Sequence, residues 1–155
     1  RRPGDRHPLP SSASTLGLDA SGNDIVVWRQ TTSLGDVVNS ARFDARTGIW
    51  SAPATLETVA DTSGWRYPPT VVVDPAGNVT AIWDRRVAGA DLSSYFPFFA
   101  RFDSHLGTWS AASPLPGAGA LFDVVGATVD EQGDVLTGWS APAGNALSWS
   151  LLGGS

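Results

Sequence analysis

Three times along this chain an Asp-x-x-Gly-(Asn/Asp) turn is followed by a tryptophan nine residues after its Asp. The copies are Asp19-Ala-Ser-Gly22-Asn23 with Trp28, Asp74-Pro-Ala-Gly77-Asn78 with Trp83, and Asp130-Glu-Gln-Gly133-Asp134 with Trp139. They lie 55 and 56 residues apart. A fixed period of this size leaves few folds open. Each repeat is a small supersecondary unit that cannot bury its apolar face alone, so neighbouring units must stack. The repeat therefore constrains architecture far more than activity.

The unit is clearest in the second copy, Thr70-Val-Val-Val-Asp74-Pro-Ala-Gly77-Asn78-Val79-Thr-Ala-Ile-Trp83. β-Branched runs on either side of an Asp…Gly turn read as strand, tight turn, strand. The Asp can accept hydrogen bonds from backbone amides just ahead of it, and the Gly supplies the φ > 0 position of a turn closed by a bulge. A second hairpin pattern follows twice: Ala41-Arg42-Phe43-Asp44-Ala-Arg-Thr-Gly48-Ile-Trp50-Ser51 and Ala100-Arg101-Phe102-Asp103-Ser-His-Leu-Gly107-Thr-Trp109-Ser110. Two hairpins in series make a four-stranded antiparallel meander. The expected fold is all-β, with antiparallel four-stranded units. Residues 1–15 form an N-terminal arm or the tail of a preceding unit, 16–60 the first unit, 61–117 the second, and 118–155 an incomplete third that lacks the second Asp…Gly…Trp turn. Pro8-Leu9-Pro10 echoes Pro114-Leu115-Pro116, which follows the second unit.

The Phe-Asp-x-x-x-Gly-x-Trp turn resembles the outer hairpin of kelch-type β-propeller blades. More distantly it is similar to the Asp-box of sialidase-type propellers. The Val-Asp-x-x-Gly-Asn-Val…Trp half resembles repeats of bacterial surface and secreted propeller-like proteins. The chain departs from both patterns: no Gly-Gly doublet follows the second strand of a unit, and the sialidase box has a shorter Asp-to-Gly spacing. The resemblance covers residues ~16–152 and implies part of a β-propeller. It implies little about activity, because one fold hosts many functions.

At one blade per period the chain holds about two and a half to three blades, where propellers commonly have about four to eight. Three arrangements are open. The chain is a piece of a longer polypeptide whose other blades complete the ring, a second copy completes it as a homo-oligomer, or the stack stays open and is capped by something else. The absence of methionine and the ending within the third unit favour the first, a processed or partial chain.

Composition removes several classes. The chain has 155 residues, no cysteine, and 16% charged residues, well below the usual value of about a quarter. Disulfides and thiolate metal sites are excluded. All ten basic residues are arginine, the net charge is −5, and no basic stripe stands out, so nucleic acid is not an expected partner. No apolar run is long enough for a membrane span. No cofactor is expected. The two histidines do not make a zinc site: His7 lies in the N-terminal arm, and His105 sits in a surface turn where the other copy has Arg46. No Gly-x-Ser-x-Gly elbow is present.

Asp19, Asp74 and Asp130, with Asn23, Asn78, Asp24 and Asp134, could be read as calcium turns. They lack the alternating acids and closing Glu of a calcium loop, so turn formation is the expected role. Trp28, Trp83, Trp139, Trp50 and Trp109 recur in register and are expected to pack between units rather than to stack on sugars. The better candidates are groups the repeat does not require. Trp65-Arg66-Tyr67 and Tyr95-Phe96-Pro97-Phe98-Phe99 have no counterparts in the other copies. Exposed aromatics beside an arginine suit glycan or protein contact, although Phe98 or Phe99 can equally be core. Arg85 and Arg86 could hold a carboxylate or phosphate, against the plainer reading of a solvated loop with a local ion pair. Asp61, Asp91 and Asp123 lie in non-repeating loops, and nothing in the sequence pairs them for glycoside cleavage. The expectation is a non-catalytic binding or scaffold module of a secreted, cell-surface or periplasmic bacterial protein. The alternative is part of a propeller enzyme of sialidase, glycosidase or lyase type with catalytic residues in other blades.

Overall fold

The computed structural model describes residues 14–33, 35–60, 67–86, 95–119, 123–140 and 147–153, with backbone alone for 123–125 and 147–149. Among them there is no helix, and thirteen strands form three antiparallel sheets. The first sheet contains β1 (Ser14–Leu18), β2 (Asp24–Thr32), β3 (Gly35–Asp44), β4 (Ile49–Trp50) and β5 (Ala54–Val59). The second contains β6 (Thr70–Val73), β7 (Val79–Arg86), β8 (Tyr95–Asp103), β9 (Thr108–Trp109) and β10 (Ser113–Pro114). The third contains β11 (Asp123–Val129), β12 (Val135–Ser140) and β13 (Leu147–Leu152). Each sheet is a meander, and none closes on itself among the described residues.

The outer strand of the first two sheets is broken in the same way. β4 and β5 both pair with β3, and β9 and β10 both pair with β8. At the break Ser51 donates its amide to Arg42 O at 2.7 Å, and its hydroxyl accepts the Arg42 amide at 3.0 Å. Ser110 does the same for Arg101. The hydroxyl replaces a backbone carbonyl that the kinked strand no longer presents, which keeps the ladder satisfied.

The repeated turns take the expected geometry. The amides of Gly22, Gly77 and Gly133 donate to the carbonyls of Asp19, Asp74 and Asp130 at 3.1, 2.9 and 3.2 Å. The three glycines have φ of 82, 83 and 83°, a region that an L side chain enters only with strain. In the second and third sheets the turn Asp carboxylate caps amides ahead of it, Asn78 N to Asp74 Oδ1 at 2.8 Å and Asp134 N to Asp130 Oδ1 at 2.9 Å. Asn23 and Asn78 then reach sideways: their side-chain oxygens accept the amides of Ala45 and Ser104. Each Asn thus ties the inner hairpin of its sheet to the outer one.

The sheets stack side by side, with β6 packed between β1 and β11. Strand alternation gives each sheet two faces. The face of the second sheet that carries Val79, Ala81, Trp83, Phe98, Ala100 and Phe102 packs on Ile25, Val27 and Val38 of the first. The opposite face, with Ile82 and Tyr95 and with Leu115 from the turn after β10, packs on Val135, Trp139 and Leu152 of the third. The recurring tryptophans follow this rule. Trp83 and Trp139 are buried in the two interfaces and Trp109 packs at the edge of the first, whereas Trp28 is half-buried and Trp50 is exposed on the uncovered face of the first sheet.

Candidate functional site

The strand register puts all repeated Asp…Gly turns at one end of the sheets. The other end, the loop end, carries the β2–β3 turn and the connections between β5 and β6, β7 and β8, and β12 and β13. These are the segments in which the copies differ from one another. A charged cluster lies buried here between the first two sheets.

Arg29 leaves the end of β2 and reaches the end of β7. Its Nη2 donates to Asp84 Oδ1 at 2.5 Å and to the Asp84 carbonyl at 3.2 Å. Both side chains are almost fully buried, at 4% and 2% exposure. Glu57 of β5 accepts from Trp83 Nε1 at 2.7 Å with one oxygen and from Arg85 Nη1 with the other. The Arg85 guanidinium, partly exposed, lies 3.9 Å from the centre of the Phe98 ring, a cation–π contact. Asp36, also buried, accepts from Thr31 Oγ1 at 2.6 Å. Burial pushes the Arg29 guanidinium below its ordinary range, opposed by the negative charges of Asp84, Asp36 and Glu57. Arginine begins so high that it stays charged. The cluster is a charge-paired seam.

The predicted site residues divide around this seam. Arg85 and Arg86 do not form a solvated anion clamp. Arg85 is spent on Glu57 and Phe98, and Arg86 is half-buried at the same end of β7. Asp84 pairs across the interface with Arg29. Tyr95 is a correction. It is a core residue at 6% exposure, packed with Ile82, Val135 and Trp139. Phe96 is half-buried and packs against the opposite cluster with Trp83 and Phe98. The aromatic run has a structural cause: the second sheet is covered on both faces, so alternate residues of β8 fill two different interfaces. Tyr67 is half-buried in the Tyr67-Pro68-Pro69 lead-in to β6, where the Pro69 carbonyl accepts from Thr15 Oγ1. Trp65, Arg66, Asp61 and Asp91 lie outside the described residues, and the side chain of Asp123 does too.

Sequence reasoning missed Arg29, Glu57 and Asp36. One signal was available for Arg29 and Asp84. They occupy equivalent positions one residue past the recurring Trp, with opposite charges, while the third copy has Ser140.

Two grooves lie away from the seam. One, of about 540 Å³, lies where the three inner turns meet and is lined by Asp19, Asp74 and Asp130 among others. The two oxygens of Asp19 and of Asp74 are engaged: Asp19 accepts from Ser21 N, Asn23 N and Asn23 Nδ2, and Asp74 from Asn78 N and Asn78 Nδ2. Burial raises the Asp19 carboxyl, but the hydrogen bonds from Asn23 and Ser21 and the nearby Arg42 outweigh it and hold it below its ordinary 3.8. These are turn-forming carboxylates. The other groove, of about 510 Å³, runs between the outer hairpins of the first and second sheets, with Arg42, Ile49, Phe102 and Trp109 on its walls. Among the described residues no group of three or more His, Cys, Asp or Glu is placed to hold a metal ion. No helix of the described residues is long and apolar enough to cross a membrane.

No protein-family model and no curated protein matches the chain. Among solved structures, the crystal structure of polysaccharide lyase Uly1 is similar, with a TM-score of 0.48 and 18% identity. The match covers 89% of this chain and 36% of that one. The chain thus spans about a third of that protein's length, and a likeness of this degree says nothing of activity.

Proposed function

We propose that the three sheets are consecutive blades of a β-propeller, and that the chain is a non-catalytic binding and scaffold module of an extracytoplasmic bacterial protein. Its ligand is a glycan or a protein surface, taken at the loop end. The observation that carries this reading is the distribution of differences between the copies. The turn end is built from the same Asp and Gly contacts in all three sheets, with the same Asn contacts in the first two. The loop end departs from the repeat, with connections of different length and with Arg29, Glu57, Asp84 and Arg85 paired across one interface. A repeat needs none of this to stack, since the third sheet has Ser140 where the others have Arg29 and Asp84. Burying charges of this kind is costly in stability, and a binding surface held rigidly at one end is a function that offsets it.

The cluster favours binding over bond cleavage. Glycoside cleavage by the usual route needs two acids facing one opening. Here the oxygens of Asp36, Glu57 and Asp84 face Thr31, Trp83, Arg85 and Arg29 instead.

The test is affinity electrophoresis of the chain through gels containing neutral or uronate-bearing polysaccharides, beside a pull-down with surface-protein extracts. Tyr67→Ala and Arg86→Ala are the variants, each checked by thermal melting. Retardation by one polysaccharide class, lost in these variants at unchanged melting temperature, supports a glycan-binding loop end. Cleavage of any of these polysaccharides, read as new reducing ends or unsaturated products, would overturn the non-catalytic reading.

A further inference from the structure

The repeat departs from itself at one position on the outer side of the first interface. The residue before Ala-Arg-Phe-Asp is Phe99 in the second copy and Ser40 in the first. Phe99 fills space, packed against the cluster of Ile82, Val135 and Trp139 between the second and third sheets. Ser40 occupies the same position in the interface between the first and second, beside Val27 and Ala54 of its own sheet. A serine leaves most of a phenylalanine's volume unfilled. There the groove of about 510 Å³ opens, with both its walls in adjacent sheets of this chain.

The lining is polar where a gap in packing would be apolar. Ser40 is 2% exposed and lines the groove, and its hydroxyl makes no hydrogen bond to another described residue. A buried hydroxyl ordinarily has a partner, and the groove is the space from which one can come. Arg42, two residues further along the same face, is 32% exposed and meets Asp19 only at 3.5 Å, the outer limit of a hydrogen bond. That leaves guanidinium N–H groups for another acceptor. Asp44 follows on the same wall, held in its charged form chiefly by the amides of Thr47 and Arg46. From the second sheet Trp109 packs on Phe102, with ring centres 5.5 Å apart, and stays partly exposed. Its ring therefore serves the interface and the groove alike. Ile49, exposed, stands in the lining where the second copy has Thr108.

These groups set the chemistry of an occupant. Arg42 and Asp44 are the charged members of the lining and cancel, which suits a molecule without net charge. A donor, an acceptor and a hydroxyl that does both suit a ring of hydroxyl groups. An indole and an isoleucine suit the C–H face of the same ring, since an aromatic surface takes apolar contact at one side while polar groups are met at the other. The volume falls among small-molecule sites, which run from about 300 to 1,000 Å³.

We propose that this groove is a ligand site separate from the loop end, and that it takes one neutral pyranose unit of a glycan. Ser40 and Arg42 hold its hydroxyl groups, and Trp109 carries its apolar face. The site lies toward the turn end of the sheets, so it stands or falls independently of any ligand taken at the loop end.

The test is amide and indole NMR of the isotope-labelled chain, titrated into the millimolar range with methyl glucoside, methyl galactoside and methyl mannoside. The Trp109 indole signal is assigned by its loss in Trp109→Phe. At least one of the three sugars is expected to move that signal and the Ser40 amide to saturation. Ser40→Ala should weaken the binding about two- to tenfold, the worth of one hydrogen bond. Ser40→Phe, which installs the residue of the second copy, should abolish it at an unchanged melting temperature. Ser40→Ala decides the matter if Ser40→Phe does not fold. The proposal is overturned if none of the three sugars moves these signals, or if Ser40→Ala binds as tightly as the unmodified chain. Tighter binding of methyl glucuronide than of methyl glucoside overturns the neutral ligand. Equal shifts with glycerol, which has hydroxyl groups but no ring face, overturn the pyranose.

Discussion

A turn carboxylate shows how closely single residues are held in this chain. Asp74 is buried, accepts two hydrogen bonds from Asn78 at 2.8 Å each, and sits where two strands of the central sheet reverse. Asp74→Ala leaves the amide and the side-chain N–H of Asn78 without their acceptor, and urea unfolding should show a loss of about 1–3 kcal/mol. Asp130→Ala, in an exposed turn with Asp134 in place of Asn, should cost less. Two other turn carboxylates, Asp19 and Asp44, set an acid limit. Asp19 is held below its ordinary 3.8 despite burial, by Asn23, Ser21 and Arg42, and Asp44 is held low chiefly by the amide of Thr47. A depressed folded-state value means that the stabilisation is complete above the ordinary carboxylate range and is lost as pH falls through the folded value. Melting temperature should therefore be flat near neutrality and drop below about pH 4. Asp19→Asn should shrink that drop. Gly35 is a different kind of constraint. Its φ is 125°, and an added Cβ would stand 2.1 Å from the Val59 carbonyl. Gly35→Ala should cost about 2 kcal/mol or more by displacing β5 from β3, read as a lower urea midpoint.

Elements here are defined by how many of their faces are covered. β7 and β8 lie in a sheet packed on both sides, so they are buried along most of their length, and the aromatic stretch from Tyr95 to Phe99 feeds two interfaces at once. β2 alternates buried with half-buried residues because one of its faces is open. The charged seam belongs to this scale, since it joins the ends of β2, β5 and β7. Removing one member of the buried Arg29–Asp84 pair strands a charge in a dry interface. Arg29→Met and Asp84→Leu should each destabilise by about 3–5 kcal/mol. The double variant should lose clearly less than their sum, a coupling that a double-mutant cycle measures directly.

For the whole molecule, stability should be greatest in the middle of the stack. In arrays of stacked units, each is stabilised by its neighbours. Among the described residues the second sheet has two neighbours, while the first and third have one each. Hydrogen exchange followed by mass spectrometry should find the amides of β7 and β8 slowest, with β2 and β3 and then β12 and β13 exchanging sooner. Equal protection in all three sheets under dilute conditions would contradict this gradient.

Much of the architecture was readable in the chain alone. The positions of the Asp…Gly turns, the hairpins around them and the antiparallel order follow from local chemistry. An Asp that caps amides ahead of it and a Gly that takes φ near 83° specify a reversal whatever surrounds them. What local chemistry could not state is which face of each strand would be covered. Trp28 and Trp83 are the same residue in the same repeat position, yet one is half-buried and the other fully so. Tyr95 and Phe96 looked like surface groups because nothing in the repeat called for them, and they proved to be filling for two interfaces. The seam of Arg29, Asp84, Glu57 and Arg85 joins residues 28 to 55 positions apart. Beyond the opposite charges of Arg29 and Asp84 at equivalent repeat positions, such a pairing has no signature along the chain, because burial and charge compensation are properties of the space between sheets. Only stacking decides them.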